Sequence, residues 1–341
     1  MSQQTRVQTV RERMPRFFDA YPSLEALAGS RVDDVLKAWE GLGYYSRARS
    51  LHRTAKLLLD RARESGRPAT LPSTAAELRE LPGIGPYTAG AVASMAFGQS
   101  EPAVDGNARR VLSRLFDLES PRPAMLSERA RLLIAAAQER DGTRAAEVNQ
   151  AIMDLGGAVC TPRRPRCKAC PLEDHCLAHD RGTIALRPPR PSRRPIPHVE
   201  VAVAIIRRDD GKIFIQRRPL DGLLGGMWEF PGGKIREGET AEEAAVRETL
   251  EETGMTIRVR GPAGTVEHAY SHFTVSIRAF HALGRAGEPG GEPSVAAETP
   301  GPGVNPRAWV TVGELSDFAM PAANRKLMEA AGLGAAAVQP K

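Results

Sequence analysis

Four cysteines constrain this chain more than any other feature of its sequence. They are Cys160, Cys167, Cys170 and Cys176, and the rest of the 341-residue chain contains none. A disulfide framework would spread its cysteines along the chain, whereas four thiols in one short segment are typical of a metal site. Their spacing suits a cubane iron–sulfur cluster or a structural zinc ion. We therefore expect this segment to fold around a metal group.

The composition is that of a folded chain with more than one hydrophobic core. Apolar residues make up 41% and charged residues 26% of the chain, a balance typical of globular proteins, and the length favours two domains. No stretch approaches the roughly 18 consecutive apolar residues of a membrane span, and the N-terminal segment lacks the apolar core of a secretion signal. We expect a cytoplasmic protein, whose net charge of +6 is compatible with a polyanionic partner.

The sequence pattern changes near residue 180. Residues 1–180 repeat apolar side chains at a helical period, as in VDDVLKAWEGL and SERARLLIAAAQER, and predict an all-α domain that includes the cysteine loop 160–176. Residues 181–198 are a linker rich in proline and arginine, because the prolines exclude a helix. Residues 199–331 predict an α/β domain with a mixed sheet and flanking helices, and residues 332–341 a tail. The predicted fold class is therefore multidomain, all-α followed by α/β.

Local signals refine this division. Ser46 and Ser127 are candidate helix N-caps, and Thr74 with Glu77 forms a capping box. Residues 284–306, rich in glycine, proline and glutamate, predict a mobile surface loop.

A short turn between two helices is the first candidate site. Residues 81–90 read LPGIGPYTAG, in which Gly83 and Gly85 allow the backbone to approach a phosphate that the amides of the next helix face. The glycine pair alone is typical of an ordinary corner between helices. With Pro82 before it and Tyr87 after it, the segment has the pattern of a helix-hairpin-helix.

Charged residues accompany this turn and the cysteines. Asp105 stands at the start of a helix in AVDGNARRV, where a carboxylate can be simply a helix cap. Arg163, Arg164 and Arg166 separate the first two cysteines, and Lys168 follows the second. This cationic loop is suited to docking on phosphate groups.

Together these elements resemble the helix-hairpin-helix, iron–sulfur DNA glycosylases, and among them the MutY-type adenine glycosylases. The resemblance extends from Gln3 to Cys176 and is carried by QQTRV, GLGYYSRAR, LPGIGPYTAG, AVDGNARRV and the cysteine spacing. It implies a base-excision DNA-repair enzyme that removes adenine mispaired with 8-oxoguanine or guanine. It also implies that the four cysteines hold a [4Fe–4S] cluster.

The resemblance assigns the candidate catalytic residues. Asp105 matches the carboxylate that stabilises positive charge on the deoxyribose while the glycosidic bond breaks. Tyr87 and Asn107 match its neighbours in the active site. A lyase branch, similar to endonuclease III, has a nucleophilic lysine where Tyr87 stands, so a monofunctional glycosylase is implied.

Other matching positions contact DNA. Gln4, Thr5, Leu42 and Tyr44 correspond to residues that enter the duplex opposite the extruded base, because an enzyme that acts on a stacked base must extrude it and fill the gap. Gly83 and Gly85 correspond to the hairpin that binds the DNA backbone. For Tyr45 we expect a position in the hydrophobic core instead.

One element of the family pattern falls outside the sequence. In E-x-M-x-Q-Q-T the glutamate acts as general acid on adenine, and Met1 falls on the methionine of this pattern. We expect the gene to start upstream, with a codon for this glutamate two residues before Met1. The alternative is a lesion-binding protein that lacks its general acid.

A second motif occupies residues 233–255. It fits G-x5-E-x7-R-E-U-x-E-E-x-G-U at the polar positions Gly233, Glu239, Arg247, Glu248, Glu251, Glu252 and Gly254, with Thr249 where an aliphatic residue is usual. Thr240 and Glu243 predict a capping box, and Gly254 predicts the end of the helix. The last three glutamates share one helix face, which is unfavourable unless a hard cation such as Mg²⁺ or Mn²⁺ neutralises them. A solvated acidic face is the alternative.

This half resembles Nudix hydrolases, and MutT-like ones closely. Arg218 matches an arginine that contacts phosphate or base, and Asn324 matches the asparagine that reads 8-oxoguanine. MutY-type proteins carry a related C-terminal domain whose F-S-H recognition loop is similar to Tyr270-Ser271-His272. The resemblance therefore implies a domain that reads 8-oxoguanine in DNA, hydrolyses 8-oxo-dGTP or a related triphosphate, or does both.

The expected partner is double-stranded DNA with an 8-oxoguanine:adenine mismatch, through which the protein associates with the nucleoid, and 8-oxo-dGTP is a second candidate. We expect a monomer without membrane association.

Overall fold

The computed structural model describes residues 5, 7–189, 195–220, 222–270, 273–284 and 305–334. The chain forms two compact units. One unit consists of Met1–Leu59 together with Arg194–Lys341, and the other is Asp60–Arg193. Within the described ranges, no helix is both long enough and apolar enough to cross a membrane.

The first half of the chain is helical. Its helices are α1 (Val7–Ala20), α2 (Leu24–Gly29), α3 (Val32–Ala38), α4 (Tyr45–Ser65), α5 (Ala75–Leu78), α6 (Pro86–Phe97), α7 (Gly106–Leu115), α8 (Pro123–Asp141), α9 (Ala145–Ala158) and α10 (Leu177–Asp180). Short 3₁₀ turns lie between α9 and α10, at Cys167–Ala169 and Glu173–His175, and after α10 at Ile184–Leu186. The described residues before the linker contain no strand, so the predicted all-α half is confirmed.

Two of the three predicted helix starts are wrong. Thr74 caps α5 as expected, since its hydroxyl accepts a hydrogen bond from the amide of Glu77 at 3.3 Å. Ser46, however, lies inside the first turn of α4, and Ser127 lies inside α8. α8 begins at Pro123 because the fixed φ angle of proline suits the first helical position, where its missing amide hydrogen costs nothing.

The second half is built on one mixed sheet. Its elements are β1 (His198–Arg207), β2 (Ile213–Arg217), β3 (Trp228–Glu229), β4 (Gly232–Lys234), α11 (Ala241–Thr253), β5 (Ile257–Ala269), β6 (Thr274–Gly284), β7 (Arg307–Val310), a 3₁₀ turn at Glu314–Asp317 and α12 (Ala322–Ala330). The strand order is β3-β2-β1-β6-β5, with β4 paired to β1 and β7 to β2. β1 runs parallel to β6 and antiparallel to β2. The predicted mixed sheet is confirmed.

Helices cover both faces of this sheet. Along β1, Val203 and Ile205 pack into a core shared with Leu327 of α12, whereas Ala204 and Ile206 pack into a second core with Val246 of α11. This alternation follows from the period of two in a strand. Most of the predicted surface loop at 284–306 lies outside the described residues.

The first helices share a core with the second half of the chain. Val35, Leu36 and Trp39, all at most 3% exposed, belong to one buried cluster with Met227 and Ala319. The domain boundaries predicted from the sequence follow the order of the chain, whereas compactness joins residues from both ends of it. Apolar contacts between segments so distant in sequence leave no local signature, and the predicted boundaries stay a prediction.

Candidate functional site

Helix α6 packs directly on the segment that leads to Asp105. A Cβ added to Gly90 would lie 2.0 Å from the carbonyl oxygen of Pro102, so only glycine permits this approach. The buried amide of Asn149 holds the same segment, because its Oδ1 accepts from the amide of Ala103 at 2.9 Å and its Nδ2 donates to the carbonyl of Glu101 at 2.9 Å. Together these contacts fix the backbone on which Asp105 stands.

Asp105 is the N-cap of α7. Its Oδ1 accepts a hydrogen bond from the amide of Ala108 at 2.7 Å, which satisfies one free amide of the first turn and fixes the orientation of the carboxylate. Tyr87, in the first turn of α6, lies close enough to interact with it. The pKa of Tyr87 is raised above its usual value, first by burial and then by the negative charge of Asp105. The structure thus brings these two predicted residues together.

Asn107 faces the cysteine loop. Its Oδ1 accepts a hydrogen bond from Nη2 of Arg110 at 2.8 Å, while Nε of Arg110 donates to the carbonyl of Cys160 at 2.7 Å. A Cβ on Gly156 would lie 2.7 Å from the Cβ of Asn107, so α9 meets α7 at a glycine. Arg110 thus connects Asn107, two residues after Asp105, with Cys160.

The four cysteines line one cavity. All four are half-buried, and the space between them, counting its open mouth, is about 320 Å³. Burial, followed by the charges of the other three cysteines, raises the pKa of the Cys167 thiol. Burial likewise raises the pKa of the Cys176 thiol. Four thiols that repel one another when ionised, around a shared cavity, fit a cationic inorganic group.

Arg114 supplies the one buried cation of this cavity wall among its described residues. Its side chain is 4% exposed. Nη1 donates to the Sγ atom of Cys160 at 3.3 Å and to the carbonyl of Thr161 at 2.8 Å. The predicted cationic loop is exposed at Arg163, Arg164 and Lys168, and also at Arg166, which lines the cavity.

The segment predicted to enter DNA lies in the other compact unit. Tyr44 has a left-handed backbone with φ of +49° and is 37% exposed, with the guanidinium of Arg47 over its ring at 4.9 Å. Thr5 donates its hydroxyl to the carbonyl of Leu42 at 2.8 Å. The Leu42 side chain is only 2% exposed and points into the core. Tyr45 is buried as predicted, and Gln4 lies outside the described residues.

Arg247 organises the acidic helix α11. It contacts Glu239 at 2.6 Å, Glu248 at 2.7 Å and Glu251 at 3.2 Å. Hydrogen bonds from Arg247 and from the amide of Arg236 lower the pKa of Glu239 to about 2. Gly233 belongs to the same arrangement, because a Cβ there would lie 2.3 Å from a carboxylate oxygen of Glu248.

The third carboxylate of this face turns toward the sheet. Glu252 accepts hydrogen bonds from the amide of Gly232 at 3.1 Å and from the side chain of Gln216 at 2.5 Å, and burial raises its pKa. Throughout the described part of the chain, no three His, Cys, Asp or Glu side chains converge as metal ligands. The oxygen-only donor set is nevertheless the type that Mg²⁺ prefers.

The local predictions for α11 are confirmed. Thr240 and Glu243 form the capping box, and Gly254 ends the helix with φ of +75°. Thr249, which departs from the motif, is fully buried, and its hydroxyl donates to the carbonyl of Ala245 at 2.7 Å. The polar side chain is therefore accommodated within the helix.

Several polar side chains lie near Tyr270, on whose hydroxyl the charges of Arg218 and Glu229 act. Arg218 pairs with the half-buried Glu229. Burial raises the pKa of Glu229 to about 7, although Arg218 opposes this shift. Asn324, in the first turn of α12, is 7% exposed. Tyr270 stacks on Phe273 with ring centroids 4.7 Å apart, whereas Ser271 and His272 lie outside the described residues.

Sequence reasoning missed several of these polar residues. Arg110 and Arg114, four residues apart on α7, are both engaged by the cysteine loop, and Glu229 stands alone among apolar neighbours in the run MWEFP. The available signals were the helical spacing of the two arginines on α7 and the isolated acid among apolar residues around β3. Asn149 had none, because its partners are distant backbone groups.

The fold and these sites define a helix-hairpin-helix protein of base-excision DNA repair joined to a Nudix domain. Residues 1–136 match the family described as "HhH-GPD superfamily base excision DNA repair protein", and residues 202–330 match the "NUDIX domain" family. An adenine DNA glycosylase of Mus musculus is 32% identical over 96% of this chain and 69% of its own length. The one of Homo sapiens is 32% identical over 96% and 66%, and that of Schizosaccharomyces pombe 30% over 83% and 70%.

The chain belongs to the adenine DNA glycosylase family. It spans about two thirds of the length of the curated relatives it matches. The predicted fold class and family are both confirmed.

Proposed function

We propose that this protein excises adenine from duplex DNA where the opposite base is 8-oxoguanine or guanine. The observation that carries the proposal is the fixed position of Asp105 as the N-cap of α7, where its charge acts on Tyr87. The names of the relatives support it independently. The residue beside Asp105 is a phenol and not an amine, so the chemistry is hydrolysis by water without a Schiff base.

In this mechanism Asp105 acts electrostatically. As the bond between deoxyribose C1′ and adenine N9 breaks, positive charge develops on the sugar, and a fixed carboxylate lowers the barrier. The amide of Ala108 holds one carboxylate oxygen, so the charge does not have to be reoriented during the reaction. The hydroxyl of Tyr87 donates to the sulfur of Met153 at 3.7 Å, and burial raises its pKa, so it is protonated at neutral pH. The bonding electron pair leaves with adenine. Water then adds to C1′ and releases a proton, so that the products are the sugar hydroxyl and neutral adenine.

We assign the cluster loop and the hairpin to DNA binding. Cys160, Cys167, Cys170 and Cys176 would hold a [4Fe–4S] cluster, which supplies the rigid core of a loop too short to have a hydrophobic one. The exposed arginines of that loop and the backbone around Gly83 and Gly85 would then contact phosphates. Tyr44 and Thr5 would contact the duplex where the adenine has left the stack.

Excision assays with a matched pair of variants test this proposal. Asp105→Asn keeps the helix cap but removes the charge, and we expect it to bind mismatched duplex while losing excision by roughly 10²-fold or more. Asp154→Asn, at an exposed position of α9, is the control and should excise normally. Equal excision by both variants would refute the role of Asp105.

A second activity, hydrolysis of 8-oxo-dGTP or a related nucleoside triphosphate, is favoured by the Arg247 network. That network holds Glu239, Glu248 and Glu251 close together and lowers the pKa of Glu239. With Glu252, these are the residues that would hold Mg²⁺ or Mn²⁺, which neutralises phosphate charge when bound. Asn324 and Arg218 would select the base of the nucleotide. The same two residues would read 8-oxoguanine in DNA.

The measurement is release of pyrophosphate from 8-oxo-dGTP by the full chain with Mg²⁺. Glu251→Gln should abolish most of it and leave DNA binding unchanged. Glu242→Gln, an exposed position on the same helix, is the matched control. If the unaltered protein releases no pyrophosphate with either metal, the domain is a reader of DNA only.

A further inference from the structure

Polar side chains on one face of α3 and of its C-terminal extension bind residues of the second half of the chain. Asp33, Lys37 and Glu40 recur at i, i+4 and i+7, so they lie along one face of the helix. All three side chains bind residues of the sheet domain within the same compact unit. We call this set the α3 stripe.

The stripe contacts three separate elements. Asp33 accepts hydrogen bonds from Arg217 of β2 at 3.0 Å and from the indole of Trp228 of β3 at 3.2 Å. Lys37 donates to the carbonyl of Ser316 at 2.5 Å. Glu40 accepts from Nε of Arg325 at 2.9 Å. A strand pair, a turn and a helix are thus held by a single helix face.

Each side chain held by the stripe is the sequence neighbour of Arg218, Glu229 or Asn324. Arg217 precedes Arg218, Trp228 precedes Glu229, and Arg325 follows Asn324. Successive side chains of a strand point to opposite faces, so α3 binds the back of the two strands whose other side carries the Arg218–Glu229 pair.

The stripe also leads directly into the segment that would enter DNA. Glu40 is followed by the turn Gly41-Leu42-Gly43, in which both glycines have positive φ angles, and then by the exposed Tyr44. The side chain of Leu42 anchors this turn in the core shared with Met227. Glu40, which binds the residue next to Asn324, therefore lies only four residues before Tyr44.

We propose that Asp33 and Glu40 are positioning residues that hold Tyr44 and Asn324 in one register, so that preference for 8-oxoguanine over guanine depends on the α3 stripe. The inference rests on the proposed function, since it concerns how the base opposite adenine is recognised. In this proposal Tyr44 contacts the face of the base opposite the extruded adenine, and Asn324 contacts the hydrogen-bonding edge of the same base. The two contacts distinguish 8-oxoguanine from guanine well only if the segments that carry Tyr44 and Asn324 keep a fixed relative position.

The test measures binding, so it does not depend on excision. Affinities of the full chain are determined by fluorescence anisotropy for two duplexes that differ only in 8-oxoguanine or guanine opposite adenine. Glu40→Gln and Arg325→Gln should each reduce the ratio of the two affinities about fivefold, which corresponds to about 1 kcal/mol. The reduction in the double variant should be smaller than the two single reductions combined, because each single variant already breaks the Glu40–Arg325 pair. Glu200→Gln, which breaks an exposed ion pair with Arg278 elsewhere in the unit, is the control and should leave the ratio unchanged.

The outcomes separate the two levels of the argument. If the unaltered chain binds both duplexes equally, this inference fails, whereas the proposed function is tested separately by excision with Asp105→Asn. If it prefers 8-oxoguanine and the variants weaken both affinities equally, the stripe is only structural and the inference is overturned. Arg325→Lys retains the cation opposite Glu40 and should retain most of the preference, which covers the case in which the Gln variants fold poorly.

Discussion

Arg114 donates a hydrogen bond to the sulfur of Cys160 across 3.3 Å, from the last turn of the helix that Asp105 caps. α7 has ten residues, a length of about 15 Å at the rise of an α-helix. One rigid element therefore has the candidate catalytic carboxylate at its first turn and the cysteine cavity at its last. The position of Asp105 is tied through this helix to the folding of the cysteine loop.

The cysteine loop should hold a [4Fe–4S] cluster. We expect aerobically purified protein to be yellow-brown, with a broad absorbance shoulder at roughly 400 nm from thiolate-to-iron charge transfer. Elemental analysis should find about four iron atoms per chain. Colourless protein with one stoichiometric zinc ion would contradict the assignment.

Arg114 should be required for a stable cysteine loop. Arg114→Met removes the donor to Cys160 and to the carbonyls of Thr161, Ile184 and Arg187, which are then left without this partner. We expect a loss of about 3 kcal/mol in the free energy of unfolding, together with lower iron content per chain. Arg109→Met, an exposed arginine on the same helix, should change neither. Full iron loading and an unchanged melting temperature in Arg114→Met would refute this.

Adjacent glycines of α9 should respond in opposite directions. Gly156→Ala puts a Cβ 2.7 Å from Asn107, and we expect it to destabilise the protein by about 1–3 kcal/mol through overpacking. Gly157→Ala meets no atom within 4 Å, and we expect it to stabilise the protein by about 0.5 kcal/mol because alanine favours the helix. Thermal unfolding of the two variants measures the difference. A similar effect of both would show that α7 and α9 do not pack as closely as described.

Glu229 should make stability depend on pH. Its pKa of about 7 in the folded state lies above the ordinary value for glutamate, so the folded state keeps a proton that the unfolded chain releases. Stability therefore falls as pH rises from about 4.5 to about 7, by about 3 kcal/mol in total. Urea unfolding with EDTA at pH 5 and pH 8 measures this loss, and Glu229→Gln should remove most of it. Parallel pH profiles for the two proteins would contradict the prediction.

Local signals were reliable where one helix contains all the interacting groups. The capping box of Thr240 and Glu243 and the terminal Gly254 lie within α11, so spacing alone determines them. The same holds for Asp105 as the cap of α7. Ser127 shows the limit of such signals, because a serine fits a cap only if no better start precedes it, and Pro123 does.

Tertiary contacts could not be predicted in this way. The sequence gives no indication that Asp33 binds Arg217, which follows 184 residues later, or that Leu42 is buried with Met227. Likewise, the acidic residues of α11 predict a charged face, but the division of Glu251 and Glu252 between Arg247 and Gln216 depends on the neighbouring strands.

The compact unit that joins Met1–Leu59 to Arg194–Lys341 makes Asp60–Arg193 an insertion between its two pieces. During synthesis on the ribosome, α3 emerges long before Met227 and Ala319, with which it shares a core. The apolar side chains around Leu36 must therefore wait, exposed, while more than half of the chain is translated. A nonsense codon between α3 and Met227 would leave them without these partners, and we expect such truncated chains to aggregate and not to accumulate as a free helical fragment.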